Sequence, residues 1–280
     1  MLINKVKGLL FSLLSFAVII AVWWVLAETR FKHTGIIPAP ADTLRIIAEE
    51  MRKDSFFEAI LSTLERSFIS FFISFFFAGV LAALAHFRKF AGNMLNPFIV
   101  LCRSMPTMAL VLILLLAVGS DMLPTAVAFL VVFPLCYENM RAAISETDKR
   151  LITMANVFKI PKRRQVTGIY IPAMLPFVFS SIIAGFGLNI KVVISAEVMG
   201  LPSMSVGYLI LSARQGFNFG TSFAWLVIAV MLSLVCEGIL RLISRLCMPY
   251  KYPDLKIVKS FAAKIYAKTK NRSRRADDNI

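Results

Sequence analysis

Residues 63–86 read Thr-Leu-Glu-Arg-Ser-Phe-Ile-Ser-Phe-Phe-Ile-Ser-Phe-Phe-Phe-Ala-Gly-Val-Leu-Ala-Ala-Leu-Ala-His. Between Arg66 and Arg88 no side chain except His86 can carry a charge. A helix rising about 1.5 Å per residue needs about 20 residues to cross a ~30 Å hydrocarbon layer, so this stretch is long enough to span a membrane. Five other stretches qualify: 8–28, 97–118, 122–138, 172–199 and 222–246. Only Gly119, Ser120 and Asp121 separate the third from the fourth in chain order, which predicts a tight hairpin. The stretch 122–138 is short for a full crossing and is expected to be tilted or partly shielded by protein. The chain therefore reads as an all-α membrane protein with about six transmembrane helices.

Composition agrees. Of 280 residues 58% are hydrophobic and 17% charged, and the mean hydropathy is +0.75. A soluble domain is nearer half apolar and a quarter charged. These values exclude a disordered chain, a collagen-like chain and a disulfide-stapled secreted mini-protein. The run after Lys5 and Lys7 is too long for a signal-peptide core and has no small-x-small cleavage site, so it reads as a retained helix.

Lys plus Arg total 31 against 16 acidic residues. Basic residues in short loops set orientation. Residues 1–7 and loop 87–96 carry two each, and loop 139–171 carries seven: Arg141, Lys149, Arg150, Lys159, Lys162, Arg163 and Arg164. Loop 119–121 carries none and loop 200–221 only Arg214. Loop 29–62 is an exception with five basic residues. The remaining loops place both termini and loop 139–171 of this multi-pass protein in the cytoplasm.

Enzymatic signatures are missing. There is no GxxxxGK[ST] phosphate loop, dinucleotide fingerprint, GxSxG or HExxH. Cys102, Cys136, Cys236 and Cys247 form no CxxC pair and lie in or beside apolar runs, where a thiol acts as a small hydrophobe. His33 and His86 are far apart, so no metal site is expected. Intramembrane ionisable residues are few: Glu65, Arg66, Arg103, Lys191, Glu197 and Glu237. Such residues are costly in lipid and are candidates for function. Glu65, Arg66 and Arg103 lie near span ends, where snorkelling to the interface is the simpler account. Lys191 lies roughly 12 Å inside its span, and Glu197 points about 120° away from it around the helix. Each must face a cavity, another helix or another subunit. An inter-helix ion pair and a positive group lining an anion path are both open.

In loop 139–171, Leu151, Ile152, Ala155, Val157, Phe158 and Ile160 follow loosely helical spacing. Thr147 or Asp148 is a plausible N-cap, and Pro161 ends or redirects the helix. An apolar stripe on a short cytoplasmic helix needs a partner groove or the membrane surface to cover it.

At these residues the chain resembles the transmembrane permease subunit of an ATP-binding-cassette importer, in the nitrate/sulfonate/taurine branch. The resemblance covers nearly the whole chain. It is carried by Ile37-Pro38-Ala39-Pro40, Thr63-Leu64-x-Arg66, Arg103-Ser104-Met105-Pro106 with Ala109-Leu110 and Gly119, Phe133-Pro134 with Glu138-Asn139, and Ala196-Glu197-Val198 followed by Gly207-Tyr208-Leu209-Ile210. The family signature is Glu-Ala-Ala, a Gly four residues after the last Ala, then Ile-x-Leu-Pro. It falls on Thr153-Met154-Ala155, Lys159 and Ile169-Tyr170-Ile171-Pro172, with the spacing kept and several residues changed. Ser70 stands where Gly is common.

The resemblance implies a type I importer permease fold with a cytoplasmic coupling helix at about 151–160. Thr153, Met154, Ala155, Phe158, Lys159, Ile169 and Pro172 would couple to a separate ATPase. Lys191, Glu197 and Arg103 are candidates for the translocation path. It also implies two permease subunits, two cytoplasmic ATPases and an extracytoplasmic binding protein, with ATP used by the ATPase and no cofactor in this chain. The favoured solute is a nitrate-, sulfonate- or taurine-like anion. A Gly at 159 would permit left-handed backbone or close packing, a Lys side chain there would have to point outward, and Lys159→Gly is expected to be tolerated. A stand-alone carrier or a membrane-embedded enzyme is the alternative.

Residues 1–247 thus form the permease domain and 248–280 a basic cytoplasmic tail. In Asp254–Lys268 the apolar Leu255, Val258, Phe261, Ala262, Ile265 and Tyr266 share one helical face, which predicts a helix lying on anionic lipid. Nucleic-acid binding would need the same charge but is explained more simply by the membrane. The last ten residues read as disordered. Loop 200–221 is either a docking or gating element or a plain connector. The aromatic run Phe68–Phe77 reads as helix packing rather than a ligand box.

Overall fold

The computed structural model describes residues 2–30, 36–145 and 149–247. The expected N-cap at Thr147 or Asp148 and the tail 248–280, with its amphipathic stretch, lie outside the described residues. Among the described residues the structure is helical, with no strand. The helices are α1 (Leu2–Thr29), α2 (Pro40–Glu50), α3 (Asp54–Phe87), α4 (Lys89–Ser104), α5 (Thr107–Ser145), α6 (Lys149–Val157), α7 (Lys162–Gln165), α8 (Ile171–Gly200), α9 (Val206–Gln215) and α10 (Phe219–Cys247).

Four apolar stretches are long enough to cross a membrane: Asp54–Phe87, Thr107–Ser145, Lys162–Gly200 and Phe219–Cys247, and Ala17–Thr29 is a shorter apolar helix. In their most apolar windows only 17–50% of residues are buried within the chain, so lipid or another subunit must cover the rest. The aromatic run illustrates this: Phe71 is buried, whereas Phe68, Phe72, Phe76 and Phe77 point outward.

The helix boundaries follow from local chemistry. The stretch 97–118 is divided at Met105–Pro106 between α4 and α5. Proline has no N–H to donate and disfavours helical geometry in the residue before it. Within α5 the backbone leaves helical geometry at Gly119, with φ 77° and ψ 176°. Val111, Leu123 and Val127 nonetheless share one buried cluster with Ala196, and Leu114 and Leu115 pack against it. In a straight helix Val111 and Val127 would be about 24 Å apart. The chain therefore turns back at Gly119, where the hairpin is expected.

Residues 166–170 form a π turn between α7 and α8. Pro172 follows immediately. Its ring would clash with the carbonyl four residues earlier, and a widened turn relieves that clash.

The helix α6 ends in a left-handed cap. Lys159 has φ 51°, its N–H donates to the Asn156 carbonyl at 3.0 Å, and the Ile160 N–H donates to the Ala155 carbonyl at 2.9 Å. This pair of bonds is the Schellman arrangement, in which the left-handed residue is usually Gly. The Gln165 side chain ties the cap down, donating to Asn156 Oδ1 at 3.0 Å and to the Ile160 carbonyl at 2.8 Å.

The chain forms two compact units. The first holds the residues up to Ile73, Ser104–Val131 and Leu188–Ser233; the second holds Ser74–Arg103, Val132–Gly187 and the residues from Leu234 on. In the first, α2 starts on Pro40, and its Glu50 is buried between Lys53 Nζ at 2.6 Å and the Trp225 indole N–H at 3.3 Å. Trp23 of α1 donates to the Pro38 carbonyl at 3.2 Å and packs on Phe223. In the second, Phe98 packs on Phe133 and His86 on Tyr170.

Two backbone predictions follow from the positive φ angles. A methyl on Gly119 would meet nothing within 4 Å, yet its φ/ψ region is essentially restricted to Gly. Gly119→Ala should therefore cost on the order of 1–3 kcal/mol. Lys159→Gly should leave stability unchanged or raise it by up to about 1 kcal/mol. Apparent Tm of the purified chain in detergent separates the two.

Candidate functional site

The helix α3 turns a stripe of small side chains inward. Ala59, Thr63, Ser67, Ser70, Ser74, Ala78, Ala82 and Ala85 follow spacings of three and four and are all buried. Small residues let helix backbones approach closely in a membrane, and hydroxyls among them bond across the contact. In the first unit the partner is α8. Asn189, fully buried, donates from Nδ2 to the Ser67 carbonyl at 2.7 Å and accepts from the Ser70 hydroxyl at 3.2 Å.

Two turns further along α8 the Glu197 carboxylate has no exposed surface. Its Oε2 accepts from the Thr63 hydroxyl at 2.9 Å and from the Gly207 N–H at 3.2 Å. Its Oε1 accepts from Arg66 Nη1 at 3.3 Å. The same Arg66 donates to Ser62 Oγ at 2.8 Å and to the Ser203 carbonyl at 3.4 Å. Thr63 Oγ1 in turn accepts from the Val206 N–H at 3.1 Å. Ser205 caps α9 by accepting from the Tyr208 N–H at 3.1 Å. One carboxylate thus joins α3, α8, the segment 201–205 and the first turn of α9.

Arg66 is a partner of Glu197, with its side chain only 16% exposed, rather than a residue snorkelling to the interface. Close approach is built in: a Cβ on Gly207 would lie 2.6 Å from the Val198 backbone N. Ser62, Ser203, Ser205 and Asn189 were not singled out by the sequence reading. The spacing of Thr63, Ser67 and Ser70 on one helix face was the available signal.

The other path candidates are Lys191 and Arg103. Lys191 is on the exposed side of α8, and Ser195 donates to its carbonyl at 2.8 Å. In the second unit Arg103, at the end of α4, is ion-paired with Glu138 of α5, both about half exposed. The residues of the resembled signature sit on and after α6. Thr153, Met154, Phe158 and Lys159 are exposed, Ala155 is fully buried, Ile169 is half-buried and Pro172 is exposed. Met154, Val157 and Phe158 fall on one face and are 48%, 73% and 73% exposed. That is a short apolar stripe held by a rigid cap.

Removing one member of a buried ion pair costs on the order of 3–5 kcal/mol, because the other charge is left uncompensated. Glu197→Ala should approach that loss in apparent stability, and Arg66→Met combined with Glu197→Met should recover part of it. Gly207→Ala should also destabilise, since backbone atoms cannot yield to the added methyl. A double-mutant cycle on apparent Tm measures the coupling.

Comparison with known proteins agrees with this architecture. Residues 75–246 match the family described as binding-protein-dependent transport system inner membrane component. The chain is 26% identical over 247 residues to the putative aliphatic sulfonates transport permease protein of Bacillus subtilis, covering 88% of this chain and 87% of that protein. It is 19% identical to the taurine transport system permease protein of Escherichia coli K12, covering 85% and 89% of the two chains. It is 24% identical to the nitrate import permease protein of Synechococcus elongatus, covering 66% of each.

Among solved structures, a bacterial ABC transporter involved in the import of the acidic polysaccharide alginate superposes with a TM-score of 0.60 at 14% identity, covering 86% of this chain and 96% of that one. The MetNI methionine ABC transporter superposes with a TM-score of 0.56 at 17% identity, covering 68% and 95%. At these identities the likeness to the solved structures is one of fold. With the family matched over more than half its length, the chain belongs to the binding-protein-dependent transport system inner membrane components, the membrane permeases of ABC importers.

Proposed function

We propose that two copies of this chain form the translocation path of an ATP-driven importer for a small oxyanion, with a separate ATPase docking on α6 and an extracytoplasmic binding protein delivering the solute. The observation that carries the ATPase contact is the apolar stripe of Met154, Val157 and Phe158, exposed on a helix nine residues long. An apolar stripe beside basic side chains gains little from solvent and fits a groove on a protein partner. The left-handed cap at Lys159 and its Gln165 brace make the helix a firm lever rather than a mobile loop.

The assignment of sides rests on the basic residues of 139–171, which favour the cytoplasm for α6 and for both termini. The clamp at Glu197, with the turn-rich segment 201–205 and α9, then belongs to the outer side, where it supports a firm platform for gating or docking. The relatives named for aliphatic sulfonates, taurine and nitrate share oxyanion chemistry. A lysine exposed on α8 supports the same solute class, because its positive charge attracts an anion. The tail 248–280 is assigned to anionic inner-leaflet lipid. This division of labour leaves ATP hydrolysis to the partner, needs no cofactor here and makes the chain a transport subunit rather than an enzyme.

Affinity purification of the tagged chain from gently solubilised native membranes, followed by mass spectrometry, tests the reading. An ATPase should accompany the chain in roughly equal amounts and be lost on Val157→Asp with Phe158→Asp. Lys159→Gly should retain it. An intact dimer that brings down no ATPase would contradict the reading. For the solute, Lys191→Ala should weaken oxyanion uptake by roughly tenfold, about 1.4 kcal/mol. Unchanged uptake would remove the lysine from the path.

A further inference from the structure

In the second unit α8 and α10 line an open groove of about 310 Å³. Its lining is Ser180, Ile183 and Ala184 from α8 and Glu237, Arg241, Ser244 and Arg245 from α10. That volume is at the lower end of what small-ligand sites need. The charge is unusual for its place. Two guanidiniums and one carboxylate fall within nine residues of a membrane-length apolar helix.

Glu237 lies over Gly187 of α8, where a Cβ would come within 2.8 Å of its Cδ, so the missing side chain leaves the carboxylate room. From that seat Glu237 accepts from Arg241 Nη2 at 3.1 Å. This contact orients Arg241 and uses part of a guanidinium that carries five donors. The lining thus brings two guanidiniums and one carboxylate together. Ser180 and Ser244 add hydroxyls, and Ser244 is 3% exposed. Leu242 and Leu246, each directly after one of the arginines, are 58% and 59% exposed, which offers acyl chains a surface beside the groove. Planar, multidentate donors suit phosphate-type oxygens better than a point charge does.

We propose that this groove binds a phosphate-type oxyanion, presented either as the headgroup of an anionic phospholipid or as the free ion. The test uses the full-length purified chain in detergent. Phenylglyoxal modification of Arg241 and Arg245 is followed by peptide mass spectrometry, with the exposed Arg214 as internal reference. Phosphatidylglycerol should slow labelling of Arg241 and Arg245 by roughly fivefold relative to Arg214, and phosphatidylcholine should not. Sodium phosphate is compared with sodium chloride at equal ionic strength. Slowing by both phosphatidylglycerol and phosphate assigns the groove to the free oxyanion as well. Slowing by phosphatidylglycerol alone assigns it to a lipid headgroup. Unchanged labelling with both, or equal slowing at Arg214, overturns the proposal. As a second measurement, Arg241→Gln with Arg245→Gln should weaken phosphatidylglycerol binding in native mass spectrometry by roughly tenfold. If that variant does not fold, the labelling of the wild-type chain still decides.

Discussion

The buried carboxylate of Glu197 constrains the structure more than any other group. An ionised side chain removed from water is stable only when its oxygens are satisfied. Here the donors come from Thr63, Arg66 and the Gly207 backbone, which belong to two other helices. Meeting them fixes the register of α3 against α8, because Thr63 and Arg66 are one turn apart on the same helix. It also fixes the chain after α8: Ser203 and Val206 bond to the same Arg66 and Thr63, and Ser205 starts α9. The small residues of α3 follow from this demand, since bulkier ones would hold the helices too far apart for Asn189 to reach Ser67.

Helix breaks do the rest of the shaping, and three of them have a covalent cause. Pro106 separates α4 from α5, Gly119 reverses the chain within α5, and Pro172 is preceded by a π turn. Around α6 the cause is different. No proline or glycine ends the helix; Lys159 takes the left-handed conformation itself, and two backbone bonds with the Gln165 side chain hold it there. A short helix that presents Met154, Val157 and Phe158 outward is thereby kept from fraying. The proposed coupling role needs an element that transmits displacement, and a frayed one would absorb it.

Much of this was legible in the sequence because hydropathy is summed over about 20 residues and survives local irregularity. The hairpin at Gly119 was readable from the shortness of its connection. The clamp was only half legible. Thr63-Leu64-x-Arg66 and Ala196-Glu197-Val198 with Gly207 were each recognisable, but their meeting depends on a contact between residues about 130 positions apart. Seen one at a time, Arg66 near a span end looks like a snorkelling cation, and Glu197 calls for a cavity, another helix or another subunit without naming its partner. The pairing of Arg103 with Glu138 was hidden in the same way. Position 159 was the opposite case. Gly at that place in the resembled signature pointed to left-handed backbone or to close packing, and the chain takes the first with a lysine.

The central claim is that this permease moves solute only when a separate ATPase drives it. Proteoliposomes holding the chain alone, with its ATPase, and with ATPase and binding protein together, test it by ATP-dependent uptake of a radiolabelled aliphatic sulfonate. The account predicts uptake only in the complete assembly and only with hydrolysable ATP. Uptake by the chain alone, driven by an ion or solute gradient without ATP, would contradict it.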